Sequence, residues 1–142
     1  VTKRRELIFQ NHIIDTYKAE GGHGKKWASE FTVGNPDLIL SCRGVGVHLA
    51  EVKHRPTFTL SRPILNPMAK KQISVAREYV ASGGLVFLYI VSGEIAVKSQ
   101  LHIFDSLVDT TEQGHIITLD YVAGSKYKGI TNAIRRHCNE RG

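Results

Sequence analysis

The chain has 142 residues, 42% of them hydrophobic and 23% charged, which fits one domain around one core and excludes an intrinsically disordered chain. No apolar run approaches the roughly 20 residues of a membrane-spanning helix; the longest, Gly84 to Val91, is strand-sized. The net charge of +6 favours a polyanionic partner, and basic residues gather at Lys3-Arg4-Arg5, Lys25-Lys26, Lys53-His54-Arg55, Lys70-Lys71, Lys126/Lys128 and Arg135-Arg136-His137.

Val1 to Glu6 is basic and leads into an amphipathic stretch, not the apolar segment of a secretory signal. From Thr2 to Ala19 the recurrence of Phe9, Ile13 and Tyr17, with Ile14 beside them, predicts a helix. Glu20-Gly21-Gly22-His23-Gly24 predicts a flexible loop, and Trp27 to Val33 a strand stopped by Gly34-Asn35-Pro36. Asp37 to Cys42 and Val47 to Lys53 read as strands joined through Arg43-Gly44-Val45-Gly46, a hairpin. His54 to Leu65, with Pro56 and Pro63, reads as an irregular loop. Asn66 then offers a cap and Pro67 a first helical position for a helix running to about Ser82, with Ala69, Ile73, Ala76 and Val80 as its apolar stripe.

Leu85 to Val91 is apolar throughout and predicts a central strand. Ile95 to Phe104 and His115 to Leu119 are further strand candidates, with a helical turn over Asp105 to Glu112 between them. A last helix is expected over Tyr127 to Asn139, with Ile130, Ala133, Ile134 and Cys138 inward and Asn132, Arg135, Arg136 and Asn139 outward. The order α-β-β-β-α-β implies an α/β protein with a central mixed sheet flanked by helices. Cys42 and Cys138 both lie in apolar stretches and are too few for a zinc site. They read as buried reduced thiols, and an intracellular protein is expected.

The chemistry-bearing pattern is Pro36-Asp37, then thirteen residues, then Glu51-Val52-Lys53. An antiparallel hairpin brings Asp37, early on one strand, opposite Glu51 near the end of the next. Alternation puts Glu51 and Lys53 on one face and Val52 on the other, with Ile39 and Ser41 sharing the face of Asp37. Two carboxylates brought together on an apolar sheet repel and are costly to desolvate. A hard cation relieves both costs, and oxygen ligands suit Mg²⁺, or Mn²⁺ in its place, with the Val52 carbonyl as a further donor. Such an ion would bind a phosphodiester, with Lys53 beside the phosphate. The plain alternative is a turn aspartate and an exposed Glu51–Lys53 ion pair.

These residues, in this order of elements, resemble the PD-(D/E)XK nuclease superfamily over roughly Glu6 to Val91. Gly34-Asn35-Pro36-Asp37-Leu38, Glu51-Val52-Lys53 and the downstream Gln72 resemble the VRR-NUC branch. Thr57-Phe58-Thr59-Leu60, Lys71-Gln72 and Gly83-Gly84-Leu85-Val86-Phe87-Leu88 resemble the RecU-type Holliday-junction resolvases, whose core the archaeal (Hjc-type) and phage resolvases share. The resemblance implies a restriction-endonuclease-like core and a Mg²⁺-dependent endodeoxyribonuclease acting in DNA recombination or repair. Likeness to the resolvases further implies a homodimer cutting four-way or other branched DNA. A VRR-NUC-like repair or phage nuclease, a homing or restriction enzyme, or a non-catalytic DNA-binding module are the alternatives.

The resemblance also draws in Glu6, near the packing face of the first helix, as a further metal-binding acid, and Gln72 as a residue holding the site or the DNA. DNA contacts are expected from Lys25 and Lys26 beside Trp27, from His54 and Arg55 directly after the motif, from Lys70 and Lys71, and from Arg135 and Arg136. The match does not reach the last helix, so its role stays open. The remaining histidines lack a shared ligand spacing and read as solvated or structural.

Overall fold

A computed structural model describes residues 2–27, 35–57, 70–94, 98–105 and 116–141. Its elements are α1 (Thr2–Ala19), β1 (His23–Lys26), β2 (Leu38–Cys42), β3 (Gly46–His54), α2 (Lys70–Ala81), β4 (Val86–Glu94), β5 (Lys98–Asp105), β6 (Ile116–Asp120) and α3 (Ile130–Arg141). The strands form one six-stranded sheet in chain order. β3 and β4 pair in parallel and every other neighbouring pair is antiparallel, so the sheet is mixed, as expected. The one parallel pair is the one connected through α2, because parallel neighbours need a crossover.

Strand alternation sorts the core into two layers. Leu38, Leu40, Cys42, Ala50, Val52, Phe87, Tyr89, Val91, Leu101 and Ile103 face one way and pack under Phe9, Ile13, Ile14 and Tyr17 of α1 and Ile130 and Ile134 of α3. Val86, Leu88, Ile90 and Phe104 face the other way under α2, whose Ala76 is buried with Ile73, Tyr79 and Val80 against the cluster. The central strand β4 therefore has apolar side chains on both faces, which is why its sequence reads as an unbroken apolar run. The α1 layer contains a buried polar chain: Tyr17 Oη lies 2.6 Å from Tyr89 Oη and 2.9 Å from His48 Nε2. His48 Nδ1 lies 2.9 Å from the Gly46 carbonyl. These partners make the burial of three polar side chains tolerable.

Three expectations change. The first strand lies at His23–Lys26, inside the segment expected to be a flexible loop, and Trp27 follows it; residues 28–33 of the expected strand lie outside the described residues. The polar, glycine-rich stretch is a strand because β2 offers it a free edge, with His23 paired to Ser41 and Lys26 to Leu38. Gly24 lets the strand lie close: a Cβ there would come within 2.8 Å of Leu40 Cδ2, and that side chain would have to shift. The last helix begins at Ile130 rather than Tyr127, because Gly129 takes the left-handed φ of 89°. Its first turn is capped by a distant acid: Glu20 Oε1 accepts from the Thr131 amide at 3.0 Å and its hydroxyl at 2.9 Å, and Glu20 Oε2 accepts from the Gly129 amide. β4 continues past Val91 to Glu94, and β5 is Lys98–Asp105, with residues 95–97 of the expected strand outside the described residues. The expected start of the central helix at Asn66-Pro67, the rest of the Pro56–Pro63 loop and the turn over 105–112 fall on or beside positions outside the described residues.

Among the described residues no helix is long and apolar enough to cross a membrane. Cys42 and Cys138 are free thiols, the first buried and the second half-buried.

Candidate active site

The β2–β3 hairpin creates the site. Its register pairs Leu38 with Ala50, so two pairs further along it would set Val52 opposite Pro36, where β2 has already ended. The Val52 amide therefore faces no strand partner and donates instead to Asp37 Oδ2 at 2.8 Å. The backbone of Asp37 is held from its other side, where its carbonyl accepts from the Trp27 amide at 2.9 Å. In an extended strand a residue's N–H and C=O leave on the same side, so the Val52 carbonyl faces the Asp37 side too. The proline before Asp37, buried at the strand end, thus leaves open the amide that fixes the aspartate.

Glu51 and Lys53 sit on the α2 face, in rows with Leu88 and Ile90 of β4. Glu51 is only 2% exposed. Its Oε1 accepts from Gln72 Nε2 at 3.0 Å and stands 3.6 Å from Lys53 Nζ. Burial and the neighbouring Asp37 carboxylate, in hydrogen-bonding contact with it, push the Glu51 carboxyl up to about 9; Lys53 opposes the shift and Glu6 adds to it. With no cation present, Glu51 keeps its proton at neutral pH, because its burial and the neighbouring Asp37 carboxylate both oppose a charge there. Lys53 is closer to solvent than Glu51, its side chain being 16% exposed.

Glu6 reaches the same corner from α1, its Oε1 accepting from the His54 amide at 3.4 Å. It stands one residue pair further along β3 than Asp37. Among the described residues no three His, Cys, Asp or Glu side chains gather around one point. The donor set is a carboxylate pair with a strand carbonyl beside it and a third acid at the rim. Hard oxygen donors and a proton that a cation would displace fit Mg²⁺ or Mn²⁺, which take one or two protein carboxylates and fill the rest of their shell from water and phosphate.

The expected DNA contacts divide. Lys70 and Lys71 are exposed in the same α2 turn as Gln72, and Lys25 and Lys26 are exposed on the edge strand β1. Arg55 donates to the His54 carbonyl at 2.8 Å. His54 is corrected: it is 2% exposed, stacked on Phe9 at 5.2 Å, with Nε2 3.0 Å from the Gly93 carbonyl. Alternation turns it into the α1 layer, away from Glu51 and Lys53, so it offers nothing to a phosphate. Arg135 and Arg136 do not join this site either, because α3 packs in the α1 layer on the reverse of the sheet.

Two features escaped the sequence reading. Trp27 rests against Tyr79 of α2 with ring centroids 5.5 Å apart, tying the edge strand to the helix that carries Gln72. A polar row also continues from the site across the α2 face. Lys53 pairs with Ile90 and Ile90 with His102; His102 Nε2 lies 2.9 Å from Ser92 Oγ and Nδ1 lies 3.2 Å from Thr118 Oγ1. Only the sheet register brings these residues into line, so no local pattern announces them.

The sequence matches no protein-family model and no curated protein. Solved structures do match. One is that of Hjc from Archaeoglobus fulgidus, a Holliday junction resolvase from an archaeal hyperthermophile, similar at a TM-score of 0.53 over 79% of this chain and 85% of that one, with 13% sequence identity. The chain has the restriction-endonuclease-like α/β fold of that protein.

Proposed function

We propose that this chain is a divalent-metal-dependent DNA endonuclease, and within that class a Holliday-junction resolvase. The observation that carries the reading is the state of Glu51: a nearly inaccessible carboxyl, pushed up to about 9, set against a second acid and beside an ammonium. Such an arrangement is costly as plain structure and is suited to receiving a cation. The fold shared with an archaeal junction resolvase and the net charge of +6 support the nucleic-acid half of the reading.

Asp37, Glu51 and the Val52 carbonyl would hold the ion, with Glu6 at the rim. A bound Mg²⁺ or Mn²⁺ offsets charge on the scissile phosphate and makes a water more acidic. The protein's own part is positioning. The Val52 amide fixes Asp37 and the Gln72 amide fixes Glu51. Lys53 offers its ammonium to a phosphate oxygen laid over the pair, where it stabilises charge developing on that phosphate. Lys70 and Lys71 would hold the strand's neighbouring phosphates. A homodimer with two such sites would cut two strands of a junction.

The test is cleavage of four-way junction, flap, single-stranded and linear duplex DNA, with and without Mg²⁺. Mg²⁺-supported nicking of the junction, much stronger than of linear duplex, is the expected result. Equal cutting of all substrates removes the resolvase reading and keeps the nuclease. Absence of cutting with Mg²⁺ and with Mn²⁺ overturns both.

A further inference from the structure

The basic last helix is not used by the site on the other face of the sheet, yet it is built into a defined surface. Arg135 is the organising residue. Its Nη1 donates to the Arg43 carbonyl at 2.9 Å and its Nη2 to Asn132 Oδ1 at 2.6 Å. Its stem crosses the β2–β3 turn at Gly44, where a Cβ would meet Arg135 Cδ at 3.0 Å. The turn and α3 are thereby locked together, and the side chains of Arg43 and Arg136 are exposed beside this join.

Neither Arg43 nor Arg136 has an ion-pair partner among the described residues, in contrast to Lys126, whose ammonium is taken by Asp15 at 2.8 Å. The acid near Arg135 is Glu20, one hydroxyl away through Thr131, and its two oxygens are occupied by the start of α3. Among the described side chains, three guanidinium groups stand against one committed carboxylate, a positive balance. Asn132 and Asn139 are exposed on α3 with Arg136, at positions that recur on one face of a helix. Guanidinium and amide groups presented together in this way suit the oxygen-rich backbone of duplex DNA.

Its position is distinct from the cleavage site. Asp37 precedes β2 and Arg43 follows it, so the length of the strand, roughly 13 Å between Leu38 and Cys42, separates them. α3 also lies on the opposite layer from Glu51 and α2. We infer that the α3 face and the β2–β3 turn, through Arg43, Arg135 and Arg136, form a second binding surface for the phosphate backbone of duplex DNA, engaging a stretch remote from the phosphate that is cut. This rests on the proposed nuclease reading. It gives the protein two separated holds on its substrate, which suits DNA that bends or branches around it.

The test measures affinity for short and long duplexes across a range of salt, in an Asp37→Asn background that prevents cutting. Arg43→Ala with Arg136→Ala is expected to weaken binding of the long duplex roughly fivefold or more and to lower the slope of log affinity against log salt by about 2. Binding of a duplex too short to reach both surfaces changes less, and the thermal midpoint stays within a degree or two of the parent. Equal affinity and slope for parent and double variant overturn this inference and leave the nuclease reading standing. A parent that binds no DNA overturns both.

Discussion

Gln72 donates its side-chain amide to Glu51 Oε1 at 3.0 Å across 21 residues of sequence, so the first exposed turns of α2 are fastened to the most buried acid of the sheet. The bond supplies a neutral donor to a carboxyl that burial and Asp37 drive toward protonation. Replacing Gln72 with Ala removes a donor without removing an acid. The expected outcome is cleavage slowed roughly tenfold, with a higher Mg²⁺ concentration needed for half-maximal rate; Gln72→Glu, which adds a negative charge against Glu51, should lose more. Rates measured over a Mg²⁺ series check this, and unchanged rates in both variants would detach Gln72 from the site.

Asp37→Asn and Glu51→Gln keep the shape of the site and remove one charge each. Cleavage should fall roughly a thousandfold or more in each, while DNA binding is retained, because the like charge facing the phosphate is reduced. Gel-shift and cleavage assays on the same preparation separate the two effects. Full activity in either variant would refute the assigned pair.

The pH dependence has a definite sign. The Glu51 carboxyl titrates near 4.5 when solvated and near 9 in the fold. Between those values the unfolded chain gives up this proton and the folded one keeps it, so the unfolded state binds fewer protons and stability falls as pH rises. The contribution is fully present below about 4.5, declines by at most about 1.4 kcal/mol per pH unit, and is spent by about 9. The thermal midpoint of the metal-free protein should therefore drop between about pH 5 and pH 8, and Glu51→Gln should remove most of the drop. Mg²⁺ displaces the proton, so it should raise the midpoint more at pH 8 than at pH 5; a midpoint indifferent to Mg²⁺ at both values would count against the ion.

Glu20 closes the first turn of α3 from the far end of α1, accepting from the Gly129 and Thr131 amides and the Thr131 hydroxyl. Glu20→Ala leaves those donors unsatisfied and should cost about 1–2 kcal/mol, read as a lower denaturant midpoint with an unchanged slope. Glu20→Gln, which keeps one acceptor oxygen, should lose less.

The local part of the architecture was legible from the chain itself. The period of Phe9, Ile13 and Tyr17 marks α1, the turn at Arg43 to Gly46 marks the hairpin, and the apolar run to Val91 marks the central strand. The same alternation separates Glu51 and Lys53 from Val52, because side-chain direction in a strand depends on nothing beyond the strand. The polar strand β1 was not legible: its sequence resembles a loop, and only the free edge of β2 makes it pair. Its neighbour Trp27 shows its role only when Tyr79, 52 positions later, is laid against it.

Sequence by itself determined which acids and which lysine share a hairpin, since their spacing and the two-residue period of an extended chain are properties of consecutive residues. Tertiary structure alone decided that Glu51 is sealed from water beneath α2, that His54 turns inward against Phe9, and that Arg135 and Arg136 ride on the reverse of the sheet from the acids. Burial and electrostatic coupling depend on which elements stack on which face, and that choice is made by side chains far apart in the chain.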